Sequence, residues 1–196
     1  MVGPVDNCVT LEKFNAVKTR YGQYASWAVW SEEGSTPKSN MCSKIFESKD
    51  ILKYLHSRYV LVGLNISRPL EKKFSNFHPD YSEAQDYKTR YALKNTPLWG
   101  AYMTDIIKDF EEVVSGKMMK YLRENPEFEK NNISTFQKEL NFVSTSQPIL
   151  VAIGKDSYSI LKRNLKEDFK IIKIPHYANY ISKEKYREQV LEVIHA

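Results

Sequence analysis

The sequence predicts an α/β protein, a three-layer α/β/α sandwich around a central, mainly parallel sheet of four strands. Three observations predict it. First, four short aliphatic runs, 59–63 (YVLVG), 101–107 (AYMTDII), 149–154 (ILVAIG) and 169–175 (FKIIKIP), alternate with helical patterns. Second, the runs are rich in β-branched residues and end at or near Gly or Pro, which marks strands rather than pieces of buried helix. Third, their hydrophobicity is continuous, so both faces are covered, as in a parallel sheet between helices. Strands separated by helices require right-handed crossovers and place helix layers on the sheet's two faces.

Residues 1–47 precede this rhythm and are read as an N-terminal elaboration of a single domain, 1–196. They hold a helical segment at 11–20, an extra strand at 26–30 (SWAVW) and a surface loop at 32–40 (EEGSTPKSN). A helix over 48–56 opens on Ser48 as its cap with Asp50 in the first turn. After the 59–63 strand and a polar connection, a capping box of Ser82 and Gln85 starts a helix over 82–94. A helix over 109–124 aligns Phe110, Val113, Val114, Met118 and Tyr121 on one stripe, with acids first and bases last. A second capping box, Ser134 and Gln137, begins a helix over 134–143. Gly154 turns the chain into a helix over 156–166, and a last helix over 182–195 carries Tyr186, Val190, Val193 and Ile194 on one face.

With 42% hydrophobic and 27% charged residues, the chain can build a sizeable core. No apolar run approaches the roughly 18 residues of a membrane helix, so no membrane partner is expected. The N-terminus lacks the basic and apolar segments of a signal peptide, which makes a cytoplasmic location the expectation. Cys8 and Cys42 lack metal-ligand spacing, so neither a disulfide framework nor a metal site is expected. Lys and Arg outnumber Asp and Glu by 29 to 24. The basic clusters at 68–73, 88–94 and 162–166 suit either phosphate contact or solvated helix faces. Neither GxxxxGK[ST] nor GxGxxG occurs, which disfavours ATP and dinucleotides and leaves no cofactor expected. The hydrolase elbow GxSxG and the HExxH zinc motif do not occur either.

Open parallel sheets bind ligands beyond the carboxyl ends of their strands. The first strand delivers Asn65 and Ser67 there, followed by a connection with Phe74, Asn76, Phe77 and His78. The second delivers Thr104 and Asp105, the third Gly154, Lys155 and Asp156, and the fourth His176, Tyr177 and Asn179. Each also has a structural use. Asn65 suits an Asx turn, Asp105 can cap a neighbouring loop, Asp156 suits a helix N-cap, and His176 can be a hydrogen-bonded structural histidine. His56 and His195 read as helical surface residues.

In their order, VLVGLN, NFHP, AYMTDII, ILVAIGKDSYSILK and IIKIPHYANYIS resemble the uracil-DNA glycosylase superfamily. The similarity runs from Tyr59 to Ala196 and is nearest to mismatch-specific and single-strand-selective members with a G-x-N turn. The resemblance implies a four-stranded parallel sheet with an extrahelical-base pocket at its carboxyl edge. It implies that Asn65 orients an attacking water, that Phe77 stacks on the base, and that His176 stabilises the negative charge on the departing base. Asp105 stands near the family's base-reading Asn. An amide both donates and accepts, whereas an ionised carboxylate only accepts. Ser67, Arg68, Lys155, Tyr177 and Tyr180 become candidate nucleic-acid contacts, with Tyr177 or Tyr180 replacing the usual wedge. Two departures stand out: Ile66-Ser67 replaces Pro-Gly after Asn65, and Tyr177-Ala178 replaces Pro-Ser after His176. Three readings follow: hydrolysis of an N-glycosidic bond in a flipped or single-stranded nucleotide, binding of DNA, RNA or a nucleobase or nucleotide without chemistry, and a structural or protein-interaction module.

Overall fold

A computed structural model describes residues 9–31, 43–67, 70, 72–79 and 84–195. The expected loop at 32–40, Cys8, Cys42, Arg68 and Ser82 lie outside the described residues. The elements run α1 (Leu11–Tyr21), β1 (Ala25–Trp27), two 3-10 turns (Ser43–Glu47 and Lys49–Lys53), β2 (His56–Asn65), α2 (Tyr87–Leu93) and β3 (Ala101–Ile107). They continue with α3 (Ser115–Glu124), α4 (Pro126–Val143), β4 (Ile149–Ile153), α5 (Lys155–Leu165), β5 (Ile171–Ile174) and α6 (Lys183–His195).

One sheet has the order β1-β3-β2-β4-β5. It therefore has five strands, one more than the four expected of the central sheet, because the N-terminal segment pairs with it. β1 runs antiparallel along β3, with Ala25 opposite Thr104 and Trp27 opposite Tyr102. The other pairings are parallel. β1 is wholly buried, so it closes an edge that β3 would otherwise expose.

Alternation along the strands sorts the core into two layers. Val60 and Val62, with Tyr102, Ile106 and Ala152, pack among residues of α1, α4 and α5, such as Val17, Phe136 and Leu161. Leu61, Met103, Val151 and Ile174 pack among residues of α2 and α6, such as Leu93 and Tyr186. The result is the α/β/α sandwich. The chain leaves β2 towards β3 through α2 and later leaves β4 towards β5 through α5, on the opposite face. The connections thus diverge between β2 and β4, the point at which such sheets open a ligand crevice.

Four local expectations differ from the structure. In the first, the 48–56 segment forms only the short Lys49–Lys53 turn, and β2 already begins at His56, whose N–H donates to the Gly100 carbonyl. His56 is consequently buried rather than a helical surface residue. In the second, the helix expected over 109–124 begins only at Ser115. Val113 is 66% and Val114 50% exposed, so the apolar stripe has nothing to cover there. In the third, the helix expected over 134–143 is the end of α4, which starts at Pro126, a residue suited to a helix's first turn. In the fourth, α2 is shorter than expected. Among the described residues no helix is long and apolar enough to cross a membrane.

Candidate functional site

The carboxyl ends of β2, β3, β4 and β5 surround a cleft of about 900 Å³. Its floor depends on a position without a side chain. Gly63 of β2 pairs with Asp105 of β3. A Cβ at Gly63 would lie 2.1 Å from Asp105 Oδ1 and 3.1 Å from Phe77 Cζ. Only glycine lets the carboxyl and the ring close over the strand together. Phe77 takes a left-handed φ of 62° and is 7% exposed. Asn76 holds this arrangement with its whole amide. Its Oδ1 accepts the Phe77 N–H at 3.1 Å, and its Nδ2 donates to the Tyr24 carbonyl at 2.8 Å and to Asp105 Oδ2 at 2.7 Å.

Asp105 is only 2% exposed, and burial pushes its carboxyl up to about 7. The Asn76 hydrogen bond and the Lys108 charge act against burial, while Glu139 and Asp86 add to it. Lys108 is itself locked in place. Its Nζ meets Glu139 Oε2 at 2.6 Å, the Asp105 carbonyl at 2.6 Å and Thr104 Oγ1 at 2.9 Å. The Tyr102 hydroxyl donates to Glu139 Oε1 at 2.7 Å, which ties the start of β3 to α4. A second buried carboxyl, Asp86, also lines the cleft and is pushed up to about 6 by burial. Its own backbone N–H and the Tyr177 hydroxyl oppose that rise.

At the end of β2, the Asn65 side chain donates through Nδ2 to the carbonyls of Ile66 (3.0 Å), Phe110 (3.2 Å) and Glu112 (2.8 Å). The three acceptors orient the amide, and the two on Phe110 and Glu112 tie it to the 108–114 loop that takes the place of a helical turn. The Asn65 group left for a ligand is Oδ1, an acceptor.

His176 follows β5 through Pro175. Gly154, at φ 87°, lets it approach, since a Cβ there would lie 3.3 Å from His176 Cδ2. The Ala178 N–H donates to His176 Nδ1 at 3.1 Å. The ring proton therefore sits on Nε2, which makes His176 a neutral imidazole with one N–H to offer. Partial dehydration lowers its pKa below the usual histidine value, against the pull of Asp156. The Tyr177 ring stacks on it at 4.4 Å.

The cleft lining brings together Asn65, Ser67, Phe77, Asp105, Lys155, His176 and Tyr177. Tyr180 is fully exposed and belongs to a neighbouring shallow groove instead. Asp156 lies in the first turn of α5, whose cap position is Gly154. Sequence reasoning gave no role to Asp86, Asn76, Glu112 or Lys173. Asp86 sat within an expected helix, and nothing local marks a helical Asp as buried. Among the described lining residues, five carboxyls (Asp86, Asp105, Glu112, Asp156 and Glu192) face two ammonium groups (Lys155 and Lys173). Among the described residues no cluster of His, Cys, Asp and Glu could hold a metal ion. Compared with known proteins, the chain matches no family model, no curated protein and no solved structure.

Proposed function

We propose that the cleft is a nucleobase pocket and that the chain is a divergent uracil-DNA glycosylase-like protein that hydrolyses an N-glycosidic bond. The observation that carries this reading is the meeting of an aromatic floor, a buried carboxyl, an amide acceptor and a neutral imidazole donor in one cleft. A flat base lies against Phe77, with its polar edge towards Asp105. Water attacks the anomeric carbon as the carbon–nitrogen bond breaks, and the bond's electron pair leaves with the base. Charge that develops on the base oxygen is met by the His176 Nε2–H, a donor already in place before the reaction. Asn65 Oδ1 accepts a hydrogen bond from the attacking water and so aims its lone pair. The water's surplus proton balances the one the base takes up.

The test is base release from single- and double-stranded oligonucleotides and from free nucleosides carrying uracil, hypoxanthine, mismatched and ordinary bases. His176→Ala is expected to lower release by ~10²–10³, the usual cost of one pre-aimed donor. Release that is unchanged in His176→Ala refutes the assignment of the donor. A second reading, a pocket that binds a base without cleaving it, is favoured by one observation: the Asn65 amide already serves as turn chemistry. Binding without release in every substrate would select it.

A further inference from the structure

We propose that the pocket selects a base that bears an exocyclic amine, such as cytosine, over one that presents an imide edge, such as uracil, and that Asp105 is the specificity-determining residue. The inference rests on the base-pocket reading above and adds the chemistry of the edge that is read.

The group at the bottom of the cleft is a carboxyl whose orientation is already decided. Asn76 spends both amide hydrogens and its oxygen on Tyr24, Asp105 and Phe77, so it cannot turn to serve a ligand. Asp105 Oδ2 is held by that amide, and Oδ1 lies over Gly63 beside the Phe77 ring. A base on Phe77 therefore meets Oδ1 with its edge. An ionised carboxylate only accepts. An exocyclic amine offers two hydrogens to it without a carbonyl on its outer side. The imide N–H of uracil lies between two carbonyl oxygens, and both are driven against the carboxylate. A protonated carboxyl, which donates as well as accepts, pairs with either edge. Discrimination therefore grows as Asp105 ionises.

The charges around Asp105 bear on that titration from every side. Lys108 at the end of β3 favours ionisation, while Glu139 on α4 and Asp86 ahead of α2 disfavour it. Tyr177, after β5, is neutral, with its hydroxyl pushed well up by burial and by Asp86. The surplus of carboxyls in the lining favours the more electropositive amine edge in the same direction.

The experiment is calorimetric titration of the full chain with cytidine, with uridine, and with short single strands containing each base, between pH 6 and 8.5. Cytidine is expected to bind more tightly, and the preference should widen above about 7, where Asp105 ionises. Uridine affinity should fall by about tenfold per pH unit there. Asp105→Asn, whose oxygen takes the Asn76 donor and whose NH2 then faces the base as a donor at every pH, should invert the preference towards the carbonyl edge of uridine and remove its pH dependence. Equal affinities for the two bases at pH 8.5, or a preference unchanged in Asp105→Asn, overturn the proposal and leave the base pocket standing. If neither base binds in any form, the pocket reading fails and this inference fails with it. The wild-type pH series decides the matter alone if the variant does not fold.

Discussion

Replacing Asp105 with Asn should make the protein more stable, by a margin that grows as pH rises from about 4 to about 7 and is full above that. The carboxyl is buried beside Phe77 and Gly63, and its pKa is raised from 3.8 to about 7. An acid whose folded pKa exceeds its unfolded one binds its proton more tightly in the folded chain. Stability from this group is therefore greatest below pH 3.8 and falls as pH rises to about 7. Between those values each pH unit removes about 1.4 kcal/mol, so that above about 7 the ionised carboxylate costs the folded state a constant penalty of up to about 4 kcal/mol. Asn keeps an oxygen for the Asn76 donor at nearly the same volume and carries no charge. Urea unfolding of both proteins at pH 4 and pH 8 measures the difference. Asp105→Asn should gain on the order of 2–4 kcal/mol at pH 8 and little at pH 4. A variant equally or less stable at pH 8, or a gain that does not shrink on acidification, would refute the account of a charge held in the fold at a cost. A group that destabilises its own fold in a cleft is better explained by what it binds than by packing.

Two further outcomes follow from the buried polar groups. His56 and His78 should stay neutral at pH 5, because burial lowers them to about 4 and about 3, with Arg58 adding to the effect at His56. Carbon-detected imidazole spectra report this directly, and a protonated ring at pH 5 would refute it. Because the unfolded rings titrate near 6.5, each should withdraw about 1.4 kcal/mol of stability per pH unit below that value. Glu139→Ala should cost about 3–5 kcal/mol in thermal or urea unfolding, since it strands the buried Lys108 ammonium and the Tyr102 hydroxyl. A loss below about 1 kcal/mol would mean that water reaches the pair.

The strands were the legible part of the fold. Ala101–Ile107 and Ile149–Ile153 lie where the aliphatic runs place them, because burial on both faces leaves a continuous signal in the chain. The loop ahead of α3 was not legible. Phe110, Val113 and Val114 fit a helical stripe, but two long-range hydrogen bonds from Asn65, to the carbonyls of Phe110 and Glu112, override that local preference. The same fact explains the limits at the cleft. Asn65, Asp105 and His176 could be placed at the ligand edge by counting to the ends of strands. That Asn65 would be occupied by carbonyls, that Asp86 would be buried, and that Gly63 would make room for Asp105 all depend on residues far away in sequence.

The chain's net charge of +5 invites the thought of a polyanion, yet among the described residues the cleft lining holds more carboxyls than ammonium groups. In the 88–94 cluster, Lys88 and Arg90 are buried, and Lys88 Nζ donates to the Asn179 carbonyl at 3.0 Å. In the 162–166 cluster, Arg163 Nε is held by Glu129 at 2.8 Å. These cations are part of the framework and are not free to replace a phosphate's counterions. With five carboxyls against two lysines among the described lining residues, the cleft lining disfavours a phosphate backbone. A polymer engaged here would reach the pocket with one extruded or terminal base and few phosphate contacts. Its affinity would then depend only weakly on salt, because the salt slope counts the phosphates neutralised. A steep slope would place the nucleic-acid contact away from this cleft, whereas a shallow one fits a pocket built to hold one base at a time.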